Sequence, residues 1–299
     1  MKYDLIIVRY GEIALKSRYI RKKFENILIK NIKNALKFEK IQNKIEKERG
    51  RIYIYTNKIK STCNVLEKIF GIVNFSPVIK TDSKINSISK ISINFSKKYL
   101  KKNMSFAVRC TRTGDHNYSS QDVEKKIGSD IVEYFGSKVD LTNPDFKLLI
   151  EIRGDNSYIF HKKISGPGGM PISSQDNLLN IVTDEFSILA SYYLLRRGCN
   201  VLFFVRNDFD LKMLDIFLKK WYIKANVVTF NEKDEFYNKI IDVISKNNCK
   251  AIVTGFYDLN KKNISKIKEY KKKIKTPVFS PLISMNKEEL TNKIKEIGL

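Results

Sequence analysis

From residue 178 onward, short apolar runs alternate with stretches whose apolar residues recur at helical spacing. Residues 178–182, 201–205, 225–228 and 251–254 have the length and the β-branched or aromatic content of strands. Residues 185–197, 211–221, 234–245 and 264–273 read as the helices that follow them. Strands so continuously apolar need cover on both faces, and a helix after each strand supplies the crossover that joins parallel neighbours. Residues 166–299 are therefore expected to form a Rossmann-like, doubly wound parallel sheet.

The first part of the chain has a different rhythm. An apolar run at 5–8 is followed by Ile20, Phe24, Ile27, Leu28, Ile32, Ala35 and Leu36 at spacings of three and four, with Ser17 placed as N-cap. A β-rich run at 51–56, a helix carrying Val65, Leu66 and Ile69 before Gly71, and an apolar stretch at 73–78 continue a pattern that resembles a ferredoxin-like α/β unit, and the domain line is drawn after residue 58, giving 1–58. A second α/β unit is drawn over 59–165, and the helix at Val65–Ile69 could belong to either side of that line. The unit holds a Lys-rich helix at 87–100, a strand at 105–110 and a helix opening at Ser119 or Ser120 with Val123, Ile127 and Ile131 on one face. Strands at 146–152 and 158–160 close it. The run 164–171, with three glycines and two prolines, is the strongest breaker in the chain and reads as an interdomain linker.

Charge constrains function more than fold. Lys and Arg number 56 against 32 Asp and Glu, a net +24. That imbalance points to a polyanionic partner, nucleic acid before a membrane surface. Residues 1–58 are densest in the excess, with 16 basic and 6 acidic groups. The four cysteines lie far apart with no CxxC, and there are two histidines, so neither a zinc site nor a disulfide scaffold is expected. No run approaches the ~18 apolar residues of a membrane span, and the opening run turns polar too soon for a signal peptide, so a cytoplasmic location is expected.

Within that surplus, particular groups suit phosphate. Arg18, Arg21 and Lys22 fall at i, i+3 and i+4, forming one stripe that is roughly opposite Ile20, Phe24 and Ile27. Arg109 and Arg112, at a strand end and into a loop, offer guanidinium forks that can hold phosphate bidentately, unless they pair with Asp115 or Asp122. Ser119 and Ser120 open a helix whose first N–H groups favour anions or are simply capped. Arg9 and Lys125 complete the RNA-binding set.

Several motifs, in order, resemble one family. Arg9-Tyr10-Gly11-Glu12-Ile13 with Lys16, Arg18 and Arg21 resembles the opening of the 4-thiouridine tRNA sulfurtransferases, the ThiI family. Phe106-Ala107-Val108-Arg109-Cys110-Thr111-Arg112, then Ser119-Ser120-Gln121-Asp122-Val123-Glu124, is similar to the core of a THUMP domain. Gly168-Gly169-Met170-Pro171, Arg196-Arg197-Gly198-Cys199, Val253-Thr254-Gly255 and Ser280-Pro281-Leu282-Ile283 continue the resemblance through the last domain. It implies a ferredoxin-like domain, a THUMP domain that holds the acceptor end of tRNA, and a nucleotide-binding domain. It also implies a homodimer.

The nucleotide-binding motif departs from that pattern. The family carries Ser-Gly-Gly-x-Asp-Ser, the PP-loop, between strand and helix, where glycines let backbone N–H groups reach ATP phosphates. Aligned through Arg196-Arg197-Gly198, this chain reads Val182-Thr183-Asp184-Glu185-Phe186-Ser187, and only Ser187 matches. The family's Glu-x-x-Gly-Gln stretch is replaced by Phe256-Tyr257-Asp258-Leu259-Asn260, and the sequence ends before the segment in which members that use a catalytic cysteine present it. Thr183, Asp184, Glu185, Phe186 and Ser187 are thus expected to be a vestigial nucleotide site, with no cofactor, no metal and no catalytic residue. The expected function is a tRNA-binding accessory protein in tRNA modification, partnered by a separate sulfur-transfer or modification enzyme. The alternative is an active tRNA sulfurtransferase with an altered site for ATP and magnesium. A general RNA chaperone is the third reading.

Overall fold

The computed structural model describes residues 2–48, 50–207, 210–231 and 236–299. The chain packs as two compact units, each assembled from discontinuous pieces: residues 1–9, 41–64 and 74–165 in one, residues 10–40, 65–73 and 166–299 in the other.

The first unit is built on an eight-stranded sheet. Its strands are β1 (Leu5–Arg9), β2 (Lys44–Glu48), β3 (Arg51–Tyr55), β4 (Asn74–Asp82), β5 (Phe106–Thr113), β6 (Phe146–Arg153), β7 (Asn156–Phe160) and β8 (Ile164–Ser165). The order is β2-β3-β1-β4-β7-β6-β5, with β8 beside β4. All five residues of β1 are buried, as its unbroken apolar run requires of a strand covered on both faces. The nine-residue β4 joins the two halves of the sheet: residues 74–78 pair with β1, and residues 79–82 pair with β7. On one face α3 (Ile85–Ser96) and α4 (Ser120–Phe135) bury Ile88, Phe95, Val123, Ile127 and Ile131 against Phe106, Val108, Leu148 and Ile150. The edge strand β2, Lys-Ile-Glu-Lys-Glu, is mostly exposed and carries no apolar signal; charge on an edge discourages pairing with another chain.

The second unit is the expected parallel sheet. Its strands are β9 (Asn177–Val182), β10 (Asn200–Arg206), β11 (Val227–Phe230), β12 (Ala251–Val253) and β13 (Val278–Phe279), in the order β11-β10-β9-β12-β13, every pair parallel. Side-chain alternation produces two cores. Leu178, Val182, Val201, Phe203 and Val205 face α5 (Glu185–Arg196), α6 (Leu211–Lys220) and α9 (Lys287–Ile297), whereas Leu179, Ile181, Leu202 and Phe204 face α7 (Phe236–Asn247) and α8 (Lys261–Ile274). The helix α1 (Arg18–Phe38) belongs to this unit too: Asn31 donates to the carbonyl of Ile172, and Phe38 meets Tyr222 edge-on at 5.8 Å.

Several expectations need correcting. The run 164–171, expected as an interdomain linker, does hold a boundary between the two units, after Ser165, and its residues are tied down on both sides of it. Ile164 and Ser165 pair with β4, Gly168 exchanges hydrogen bonds with Ile72 and Gly71, and Met170 is buried with its N–H on the Arg196 carbonyl. At Gly169, φ +73°, a Cβ would lie 2.1 Å from that carbonyl oxygen, so the glycine serves a close approach and not flexibility. The helix expected around Val65–Ile69 begins earlier, as α2 (Ile59–Leu66), and Ile69 closes a turn after it. The strand expected at 225–228 is shifted to Val227–Phe230, and the start of the helix expected at 234–245 lies outside the described residues.

Candidate nucleic-acid interface

In the first unit the expected arginines sit on β5, the outer strand of the sheet. Strand alternation separates them: Arg112 shares the helix-covered face with Phe106, Val108 and Cys110, and Arg109 shares the other face with Ala107. Each is held by backbone and not by the carboxylates of Asp115 or Asp122. The Arg109 guanidinium donates to the carbonyls of Val108 (3.2 Å) and Leu141 (2.6 Å), which leaves it half-buried. Arg112 is exposed; its Nη1 donates to the Gly114 carbonyl at 2.7 Å and lies 3.1 Å from His116 Nδ1. His116 Nε2 in turn donates to the Gly154 carbonyl, so the loop after β5 is tied to the β6–β7 turn. Asp122 is engaged elsewhere: Ser119 and Asp122 form a reciprocal capping box at the start of α4. Backbone and hydroxyl donors of Ser119 hold the Asp122 carboxyl below its ordinary range. Ser119 is therefore a cap first, Ser120 is half-buried behind it, and Lys125 is exposed one turn on. Glu124, on the same turn, accepts from the N–H of Cys110 at 2.7 Å and so covers a donor on the sheet edge.

Arg9 does not join this surface. It is buried, with Nε and Nη2 on one carboxylate oxygen of Glu151 at 3.2 and 2.8 Å, and Nη1 on Asn74 and Ser76. Its guanidinium also lies 5.0 Å from the centroid of Phe160. Arg51 reaches the other oxygen of Glu151 at 2.6 Å, and Arg153 lies 3.6 Å from it. This arginine pins strands of the sheet together; its charge is spent on Glu151.

Elsewhere in the same unit, Lys2, Lys58, Lys60 and Lys98 surround Tyr3 and Ser61 in an open cleft of about 450 Å³. The lysines are scattered along the sequence. The approach to β1, the start of α2 and the turn after α3 bring them together, so no local motif announces them.

In the second unit Arg18 and Lys22 are exposed on α1, but the stripe is not opposite the buried face. The buried line is Phe24, Leu28, Ile32, Ala35 and Leu36, and half-buried Arg21 lies along its edge. Ser17 precedes the helix as expected, yet its side chain makes no cap bond.

The strand–turn–helix at β9 and α5 lies where the strand order reverses, between β9 and β12. In open parallel sheets this switch point is the crevice in which ligands bind. Here the turn satisfies itself. The Ser187 hydroxyl accepts from the N–H groups of Thr183 (3.0 Å) and Asp184 (3.1 Å), and the Asp184 carboxylate accepts from the N–H of Ser187 (2.8 Å). The Ser187 hydroxyl donates to the Asp184 carbonyl. Phe186 packs against Tyr257, ring centroids 4.9 Å apart, across from the end of β12. Gly255 presses on the Ser187 backbone so closely that a Cβ would lie 2.4 Å from its nitrogen. Beneath the turn, Asn180 is fully buried and donates to the Ser187 carbonyl. Three N–H groups of the turn are thus engaged by side chains, and an aromatic pair lies at the crevice.

Sulfur chemistry at a cysteine needs a thiolate. Burial raises the Cys199 thiol above its ordinary range, pushes Cys249 to about 11 and, with Glu124 adding to it, pushes Cys110 to about 12. Among the described residues no cluster of His, Cys, Asp and Glu could hold a metal ion, and no helix is long and apolar enough to cross a membrane.

Known proteins resemble the chain throughout. Residues 5–76 match the ThiI ferredoxin-like domain, residues 84–162 the THUMP domain and residues 223–299 the family described as thiamine biosynthesis protein (ThiI). A protein of Methanobrevibacter smithii named "Probable tRNA sulfurtransferase" is 32% identical across 100% of this chain and 87% of its own length. One of the same name from Methanocaldococcus jannaschii is 32% identical over 98% and 87%. The crystal structure of PH1313 from Pyrococcus horikoshii superposes with a TM-score of 0.86, at 31% identity over 99% of this chain and 100% of that one. A 4-thiouridine synthetase in complex with RNA and ATP shares the fold, with a TM-score of 0.82 at 23% identity over 99% and 85%. Full-length similarity at this identity, joined to the ferredoxin-like, THUMP and parallel-sheet order, places the chain in the ThiI family of tRNA sulfurtransferases.

Proposed function

We propose that this family member binds tRNA and acts in tRNA modification without itself activating a nucleotide. In this reading the loop after β5 and the start of α4 hold the acceptor end of tRNA, and the parallel-sheet domain is a structural or docking module. A separate enzyme then supplies the sulfur chemistry. The observation that carries the reading is the closed turn at Thr183–Ser187. Three N–H groups that would converge on phosphate are bonded to Ser187 and Asp184, two carboxylates stand at the helix start, and Phe186 with Tyr257 lies at the crevice. A phosphate would have to displace all three bonds and face like charge in a partly desolvated site. Exposed Arg112 and Lys125, with the +24 surplus, support the RNA half of the reading.

Calorimetric titration of the full chain with ATP and magnesium, paired with a tRNA adenylation assay, is the test. No binding heat and no label on tRNA are expected. Micromolar ATP affinity, or label transferred by this chain alone, overturns the proposal in favour of an active sulfurtransferase. That second reading is favoured by one observation, the intact strand–turn–helix at the switch point. Deleting the gene and measuring 4-thiouridine in tRNA connects either outcome to modification in the cell.

A further inference from the structure

Among the described residues, the two most exposed large apolar side chains are Leu15, 87% exposed, and Tyr19, 78% exposed. They lie four residues apart at the entry to α1, and the charge around them is one-sided. Residues 12–23 hold Lys16, Arg18, Arg21, Lys22 and Lys23 against Glu12 alone. Lys16, Arg18, Lys22 and Lys23 are all exposed, and the first turn of α1 has no acid to neutralise them. An isolated exposed leucine on a surface needs no explanation. An aromatic ring and a leucine left in water within a strongly basic stretch do, because burial of either would be favourable and, among the described residues, neither has a partner that covers it.

We infer that Tyr19 is a base-stacking platform, and that the α1 entry takes an unpaired nucleotide of the bound RNA, its phosphates on Lys16, Arg18 and Lys22. The inference rests on the RNA-binding reading above and narrows it from charge attraction to single-stranded recognition. Three properties fit that occupant. Any base has a face that stacks on a phenol ring, so no sequence readout is required. The cations flanking the ring attract the backbone on either side of the stacked base. The ring has two side-chain torsions to immobilise, so little entropy opposes the contact. Duplex RNA presents phosphates to the same cations but keeps its bases stacked inside, so it gains nothing from the ring.

The test compares the full chain with Tyr19→Ala, Tyr19→Phe and Lys22→Ala, titrated with a hairpin RNA carrying a single-stranded 3′ overhang and with the same hairpin blunt-ended. Wild type should prefer the overhang. Tyr19→Ala should lose on the order of tenfold in affinity for the overhang RNA. It should bind the blunt hairpin as wild type does and keep the wild-type salt slope, because no ion contact is lost. Tyr19→Phe should retain the preference. Lys22→Ala should weaken both RNAs and reduce the salt slope by about 0.7–0.9. Unchanged overhang binding by Tyr19→Ala, or an equal loss on both RNAs, overturns the inference while RNA binding itself stands. Failure of wild type to bind either RNA overturns the RNA reading as well. A change in sedimentation of the free Tyr19→Ala protein overturns the inference differently, by assigning the ring to contact with a second copy of the chain.

Discussion

The carboxylate of Glu151 is the most demanding site in the first unit, and Glu151→Gln tests the account of it. The side chain is 5% exposed and that of Arg9 8%, so water can compensate neither after a change. Three guanidinium groups converge on one carboxylate, from Arg9 at 2.8 Å, Arg51 at 2.6 Å and Arg153 at 3.6 Å. Removing the charge leaves Arg9 buried beside a neutral amide, still near Arg51. Breaking one side of a buried pair costs about 3–5 kcal/mol, and because the Gln carbonyl can still accept a bond, about 3 kcal/mol is expected. Burial pushes the Glu151 carboxyl up, but Arg9 and Arg51 outweigh it and hold the group below the ordinary carboxylate range. A carboxyl lowered by folding stabilises the native state above its unfolded pKa of ~4.3, and that contribution fades as pH falls through the lower native value. The gap between wild type and Glu151→Gln should therefore be full at pH 7 and narrow below about pH 4. Urea denaturation followed by circular dichroism at both pH values measures it. A loss under about 1 kcal/mol at pH 7, or a gap equally wide in acid, would refute the claim that the three arginines depend on this charge.

Two further outcomes follow from positions already described. Gly169→Ala should lose about 2–4 kcal/mol, from left-handed backbone strain plus the clash with the Arg196 carbonyl, whereas Gly136→Ala, also at positive φ but with nothing near its Cβ, should lose only about 1–2; thermal denaturation of both variants separates the clash from the strain. In tRNA binding by filter retention, Arg112→Ala should cost about 1–2 kcal/mol and Arg109→Ala less, since Arg109 is tied to two carbonyls, and both should exceed Lys271→Ala and Lys272→Ala on α8; equal, small losses at all four positions would mean a non-specific polycation.

The parallel sheet was legible because burial on both faces leaves an apolar signature. Leu178–Val182 and Val201–Val205 show it without reference to any neighbour. The start of α5 was equally legible, since acidic Asp184 and Glu185 suit a helix N-terminus locally. What escaped was set by distant partners. Nothing near Lys44–Glu48 reveals a strand, because its order comes from the ladder with β3. Gly166–Pro171 looks like punctuation until Ile72 and Arg196 supply its hydrogen bonds. Arg9 looks like a phosphate ligand until Glu151, 142 residues later in the chain, is placed beside it. Tyr19 sits inside a motif read for its cations, and only its exposure singles out the ring.

The assignment of α1 to the second unit has a consequence for synthesis. Ile172, which accepts from Asn31, and Tyr222, against which Phe38 packs, are translated well over a hundred residues after the helix. At bacterial-type elongation rates that interval is roughly ten to forty seconds. For that time Asn31 and Phe38 lack these partners, while β1 likewise waits for β3 and β4 on either side. The nascent chain therefore carries a strongly basic helix that lacks its contacts to Ile172 and Tyr222 for that time, the kind of segment that chaperones or the ribosome's own RNA would hold until they arrive.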